Sequence, residues 1–400
     1  MITGSVREEL LNRALELRPL LLEQQAATEE RTFFAPETHE LFREAGFYRL
    51  LVPRRYGGLE VDLPTFYEVM ISIARGCPST GWQLCLSAGH ALQLASYFEE
   101  RTQDEIFGAV GGEFIAPLSF GPQDVTVRRV DGGRIISGTW HFASGIPYST
   151  HHMGLIHEEG GTIAFVTPEF RRLDNWGDLI GLKGSGSHSV VVEEAFVPDR
   201  HVIPFGFFQD VAGGTVGSRL HDNPMYAGQF MAFAMGELNS VQVGTAQAML
   251  DEAEQILTTR STNPTGNRTD PGGARRAENI NYQRTFGLAM SWTDSAESIM
   301  VRCGQLFHEY AAESVAGGEP FMEERAMRVY GQLMTVQKLT WEAGDELFRT
   351  ASSSGAKDGA RMQRYWRDLC AFRTNGLHQL DFRAPAIARA RFGLDVDFAG

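Results

Sequence analysis

The chain has 400 residues, 43% apolar and 22% charged, ordinary values for a folded protein and enough length for two or three subdomains. Lys plus Arg number 36 against 50 Asp plus Glu, and the resulting charge of −14 opposes binding to nucleic acid or to an anionic membrane surface. No basic patch precedes a short apolar run near the N-terminus, and no stretch of about 18 apolar residues occurs, so neither a signal peptide nor a membrane span is expected. Cys77, Cys85, Cys303 and Cys370 include no CxxC pair, which argues against a disulfide framework or zinc site and leaves a cytoplasmic enzyme as the plain expectation.

Helical spacing runs through Val6, Leu10, Leu11, Ala14, Leu17, Leu20 and Leu21. Pro36 opens a second helix and Gly46 closes it. Residues 62–75 predict a third helix stopped by Gly76, and the apolar run 79–98 a fourth, buried one. Thr102 and Glu105 have capping-box spacing for one more. From about 113 the period changes to alternation, with a DGG turn between VTVRRV and RIISGTW predicting a hairpin. GTIAFVTPEF and HSVVVEEAFVP are further strand candidates, so this block predicts a small antiparallel sheet or barrel. After Asn223 four long helical segments follow, roughly 227–260, 276–316, 320–351 and 359–392, a bundle pattern. The organisation expected is therefore α+β, mostly α: an N-terminal helical domain (1–112), a central β domain (113–215) and a C-terminal four-helix bundle (216–400).

Several segments carry chemistry. GTWHFASG (138–145) ends a strand candidate in a small-residue turn, where Ser144 and Gly145, preceded by Phe142, would let a flat ring approach the backbone; the same residues also serve an ordinary tight turn. GLKGSGS (181–187) matches neither a dinucleotide fingerprint nor a P-loop, and Ser185 and Ser187 offer hydroxyls from what is otherwise a glycine-rich turn. His90 interrupts an apolar run, a pattern that fits a satisfied core histidine as well as a functional one. His151, His152 and His157 lack a carboxylate at matching spacing, and adjacent strand residues point to opposite faces, so no metal is expected.

GCPSTGW (76–82), His90, GTWHFASG, LIGLKGSGSHSVVVEEAFVP (179–198) and WRDLCAF (366–372), in this order over nearly the whole chain, resemble the acyl-CoA dehydrogenase superfamily, and within it the group D flavin monooxygenases. The resemblance implies the oxygenase component of a two-component system. A separate flavin reductase would supply FMNH2 or FADH2, and dioxygen would react through a flavin C4a-hydroperoxide to hydroxylate a small aromatic molecule of the phenolic kind. N- or S-oxygenation by the same route, and an acyl-CoA dehydrogenase, are the alternatives. The resemblance places Ser144 beside the flavin's reactive nitrogen and makes His90 a hydrogen-bond donor to the peroxide. Trp82 is assigned to the same cavity, where a core role fits equally.

Where relatives carry a histidine eight residues after the Arg of the RD pair, this chain has Asn375, with His378 three residues on. Asparagine cannot take a proton at neutral pH, so the base is either His378 or dispensable. Residues 367–390 contain no glutamate, which counts against one large dehydrogenase subgroup. Arg260, Gln283 in NYQRTFG (281–287) and Ser353 in SSSG (352–355) are the candidate flavin-phosphate ligands, arginine because its planar fork donates two hydrogen bonds. The resemblance also implies a homotetramer.

Overall fold

The structure is a computed structural model that describes residues 4–262, 274–374 and 379–396. Six helices come first: α1 (Gly4–Arg31), α2 (Pro36–Glu44), α3 (Leu63–Gly76), α4 (Pro78–Gly89), α5 (Ala91–Tyr97) and α6 (Glu100–Ala109). Pro36 sits in the first turn of α2, and Gly46 beyond its end takes a left-handed φ of 78°. The Asp62 carboxylate caps α3 by accepting from the Thr65 N–H.

Two local expectations fail here. The run 79–98 is not one helix: it breaks at His90, whose ring is drawn to the Ala116 carbonyl at 2.8 Å. Nor do Thr102 and Glu105 form a capping box. The cap position is Glu99, the Thr102 hydroxyl donates instead to the Arg200 carbonyl, and Glu105 binds Arg200 and His201. Tertiary partners from the β region outbid the local cap.

Among the described residues eight strands follow: β1 (Leu118–Ser119), β2 (Gly121–Val130), β3 (Gly133–His141), β4 (His152–Glu158), β5 (Gly161–Thr167), β6 (Arg171–Arg172), β7 (Val190–Pro198) and β8 (Val202–Pro204). They form two four-stranded sheets, ordered β1-β4-β5-β8 and β2-β3-β7-β6, antiparallel except for the short β1/β4 pairing. β2 and β3 are the expected hairpin across Asp131–Gly132. Ile136 and Trp140 of β3, Phe165 of β5 and Val190 and Val192 of β7 close a core between the sheets.

Then come α7 (Val216–Leu220), α8 (Phe230–Thr259), α9 (Ile280–Val315), α10 (Glu323–Thr350), α11 (Ser352–Gly355), α12 (Arg361–Arg373) and α13 (Leu380–Arg391). α8 packs on α9 and α10, and α12 on α8 and α10, which is the bundle. The fourth segment is described as two helices, α12 and α13. α8 is apolar nearly all round because α3 and α4 cover its remaining face. Among the described residues no helix is long and apolar enough to cross a membrane.

Candidate active site

α4 is the spine of the site. Its partly buried Trp82 donates Nε1–H to Ser144 Oγ at 3.0 Å. Ser144 Oγ meets Ser187 Oγ at 2.7 Å, and Ser187 meets Ser185 at 2.8 Å, so a tryptophan and three serines form one relay. All three serines are buried. Gly145 is required at its position: φ is 95°, and a Cβ would lie 2.2 Å from Ser87 Oγ on α4. Phe142 holds a positive φ of 58° and is 66% exposed, an unusual cost for a bulky apolar residue.

Beside the relay lies a cleft of about 210 Å³, lined by Phe142, Trp176, Leu179, Asn175, Ser187 and Ser189 among others. Flat apolar walls with hydroxyls and an amide at the edge fit a heteroaromatic ring system. A larger groove of about 530 Å³ on the β region, lined by Arg129, Glu158 and Glu159, holds none of the sequence-predicted residues.

Among the described residues no hydrogen bond joins His90 to Ser144; its neighbour by one helical turn, Ser87, reaches the Gly145 carbonyl at 3.4 Å. Burial lowers its pKa to about 4, so the ring is neutral. A carbonyl only accepts, so Nδ1 carries the proton toward Ala116 and Nε2 is left as an acceptor. In this tautomer the neutral ring presents Nε2 as a hydrogen-bond acceptor.

The loop that carries Ser185 and Ser187 is clamped by α12. Leu182 has φ 54°, a left-handed conformation that costs a non-glycine residue about 1–2 kcal/mol. Its N–H donates to Asp368 Oδ1 at 2.6 Å, and its carbonyl accepts from Ser185 N and Trp176 Nε1, both at 3.1 Å. Burial pushes the Asp368 carboxyl up to about 7, against the Leu182 N–H and the neighbouring arginines. Phe372, one turn along α12, packs edge-on against Trp82 at 4.8 Å between ring centroids. Sequence reasoning used WRDLCAF only as a signature and missed these contacts; the buried-helix spacing of Asp368 and Phe372 is the signal that was there.

The phosphate candidates gather at the far ends of the bundle helices. Arg260, just past α8, hydrogen-bonds Ser354, and its carbonyl accepts from Arg276 N at 2.9 Å. Gln283 in the first turn of α9 donates to the Ala277 carbonyl at 2.9 Å. Arg260, Gln283 and Ser353 are all exposed. Arg276, which sequence reasoning passed over, ties this corner to α10 through the Thr350 carbonyl at 3.4 Å. Asn375 and His378 lie outside the described residues. Glu237 on α8 was also missed: 1% exposed, its Oε1 has no hydrogen bond among the described residues, and burial raises its pKa well above the usual range.

Comparison with known proteins agrees with this geometry. Family models described as the acyl-CoA dehydrogenase N-terminal and C-terminal domains match residues 14–106 and 238–379. The chain belongs to the acyl-CoA dehydrogenase superfamily. It is 26% identical to the flavin-dependent monooxygenase oxygenase subunit HsaA of Rhodococcus jostii, over 95% of this chain and 97% of that one. It is 24% identical to the p-hydroxyphenylacetate 3-hydroxylase oxygenase component of Acinetobacter baumannii, over 97% and 90%. The structure of XiaF from Streptomyces sp. in complex with FADH2 and glycerol superposes with a TM-score of 0.86 at 24% identity, covering 98% of this chain and 97% of that one. Within its superfamily the chain is thus a flavin-dependent monooxygenase, the oxygenase component of a two-component system that works with a flavin reductase on a small molecule.

Proposed function

We propose that the chain hydroxylates a small phenolic substrate beside the Trp82–Ser144–Ser187–Ser185 relay, in a three-part chain divided near 112 and 215. The relay is the observation that carries this reading. Bound reduced flavin supplies the activation of dioxygen; the rest belongs to the protein. Phe142, Trp176 and Leu179 would flank the flavin ring, and Ser144, with Trp82 donating to it, turns its own proton toward the ring's polar edge. The apolar walls of α3, α4 and α8 exclude water. His90, its Nδ1 held on the Ala116 carbonyl, contributes a neutral imidazole whose Nε2 accepts a hydrogen bond and takes up no proton near neutral pH. Asn375 and His378 contact the substrate, His378 as the base for the phenolic proton. Arg260, Gln283 and Ser353 hold the flavin phosphate. Exposed Ile280 and Met290 on α9, with Phe382 and Phe392 around α13, support the homotetramer, since such apolar exposure favours self-association. A cytoplasmic location completes the reading.

Glu237 gives the rival, an acyl-CoA dehydrogenase, its one fully buried carboxyl on α8. The discriminating experiment supplies reduced flavin, a phenol and isotope-labelled dioxygen. Labelled hydroxylated product matching oxygen consumed is expected. Hydrogen peroxide alone, with an acyl-CoA reducing a dye, would overturn the proposal.

A further inference from the structure

Residues 179–189 carry no helix or strand, yet two of the relay's three hydroxyls, Ser185 and Ser187, lie on this segment. Its shape is imposed from outside. The Gly186 N–H donates to the Thr32 carbonyl at 2.8 Å, and His188 Nε2 meets Thr32 Oγ1 at 3.0 Å, both at the end of α1. From α12, Arg367 donates to the Ile180 carbonyl at 2.7 Å, and a Cβ on Gly181 would lie 2.0 Å from the Arg367 carbonyl oxygen. Arg364 and Arg367 are themselves anchored on Glu29 at 2.9 and 2.7 Å. Within 179–189 Leu182 is the non-glycine residue with a left-handed backbone, and a buried carboxylate oxygen receives its N–H.

We propose that Asp368 is a positioning residue: its carboxylate fixes Leu182 in the left-handed conformation and thereby delivers Ser185 and Ser187 to Ser144. The chain of contacts is continuous, from Asp368 through Leu182 N–H, then the Leu182 carbonyl to Ser185 N–H, then Ser185 to Ser187 and Ser144. The same helix turns Phe372 against Trp82, so α12 braces the relay at both ends. Asp368 touches no reacting atom; it acts through the loop.

Its importance for activity rests on the function proposed above, so the test has one arm that needs no flavin. Hydrogen exchange of the amides of Gly184, Ser185 and Gly186 reads loop position directly in the full chain. Asp368→Ala should speed that exchange and weaken flavin binding about tenfold, the scale of a lost charged hydrogen bond. Asp368→Asn, which still presents an oxygen to Leu182, should keep most of both. Adding Leu182→Gly to Asp368→Ala should recover flavin affinity, because glycine adopts the positive φ without help. If Asp368→Ala does not fold, the Asn variant and Leu182→Gly with Asn carry the same comparison. Exchange unchanged in Asp368→Ala, or Asn as damaging as Ala with no recovery from glycine, would overturn the positioning role. Altered exchange in a chain that binds no flavin would leave the positioning intact and count against the functional reading alone.

Discussion

At one end of the site Trp82, Ser144, Ser187 and Ser185 are joined by hydrogen bonds in one row, with the serines buried and braced by α1, α4 and α12. At the other, Arg260 and Ser354 meet at helix ends, with Gln283 and Ser353 exposed nearby. The first end is finished before any ligand arrives; the second has donors still facing water. Preorganised polar groups in a dry site act on charge that develops during reaction, whereas exposed donors contribute mainly ground-state binding. The relay hydroxyls should therefore govern turnover, and the Arg260 corner, together with the placement of the 179–189 loop that lines the cleft, affinity.

Ser144→Ala is the strongest way to break that division. Loss of one preorganised donor costs about 100-fold in catalysis, and the ratio of hydroxylated product to oxygen consumed should fall while flavin affinity changes little. An affinity loss equal to the turnover loss would erase the distinction. Trp82→Phe keeps the ring against Phe372 but removes the donor, and should cost less, roughly 10-fold in the same ratio, near the value of a single neutral hydrogen bond. Arg260→Ala should do the opposite: flavin dissociation constants raised roughly 10-fold by titration, with product per oxygen preserved once flavin saturates.

The fold was legible because period and punctuation agree along most of the chain: Pro36 and Gly46 bracket α2, DGG turns the β2/β3 hairpin, and the bundle helices keep their spacing. Failures came where a distant partner outweighed a local rule. His90 breaks its helix for the Ala116 carbonyl, and Thr102 leaves its own helix end for Arg200. At the site, the serines and Trp82 could be named from motifs. Their hydrogen-bonded order could not, nor could Asp368, because its partner Leu182 lies 186 residues away in sequence. Nothing in a neutral alphabet of residue types says which His90 nitrogen meets a carbonyl, so the direction of its hydrogen bond needed coordinates.

Acid offers the gentlest probe of the same contrast, since the relay end holds buried imidazoles and the segments forming the Arg260 corner (260–262, 274–284 and 350–355) contain no histidine. His188 accepts the Asn175 N–H at Nδ1 and gives its Nε2 proton to Thr32 Oγ1. Burial lowers its pKa to about 4, as it does for His90. Protonating Nδ1 would set two donors face to face. Because the folded-state values lie below the ordinary 6.5, the unfolded chain takes up protons first as pH drops, and stability is lost from about pH 6.5 downward toward 4. Each such histidine contributes at most about 1.4 kcal/mol per pH unit in that window. His188→Asn keeps an oxygen for the Asn175 N–H and should flatten the slope by up to one proton, measured by urea unfolding at pH 5, 6 and 7. Arg260→Ala should leave the slope as it is. A slope untouched by His188→Asn but reduced by His90→Asn would move the acid-sensitive point from the loop to the α4 break. Persistence in both would shift it into the β core, where His152 is fully buried with neither ring nitrogen hydrogen-bonded among the described residues and a pKa lowered to about 3.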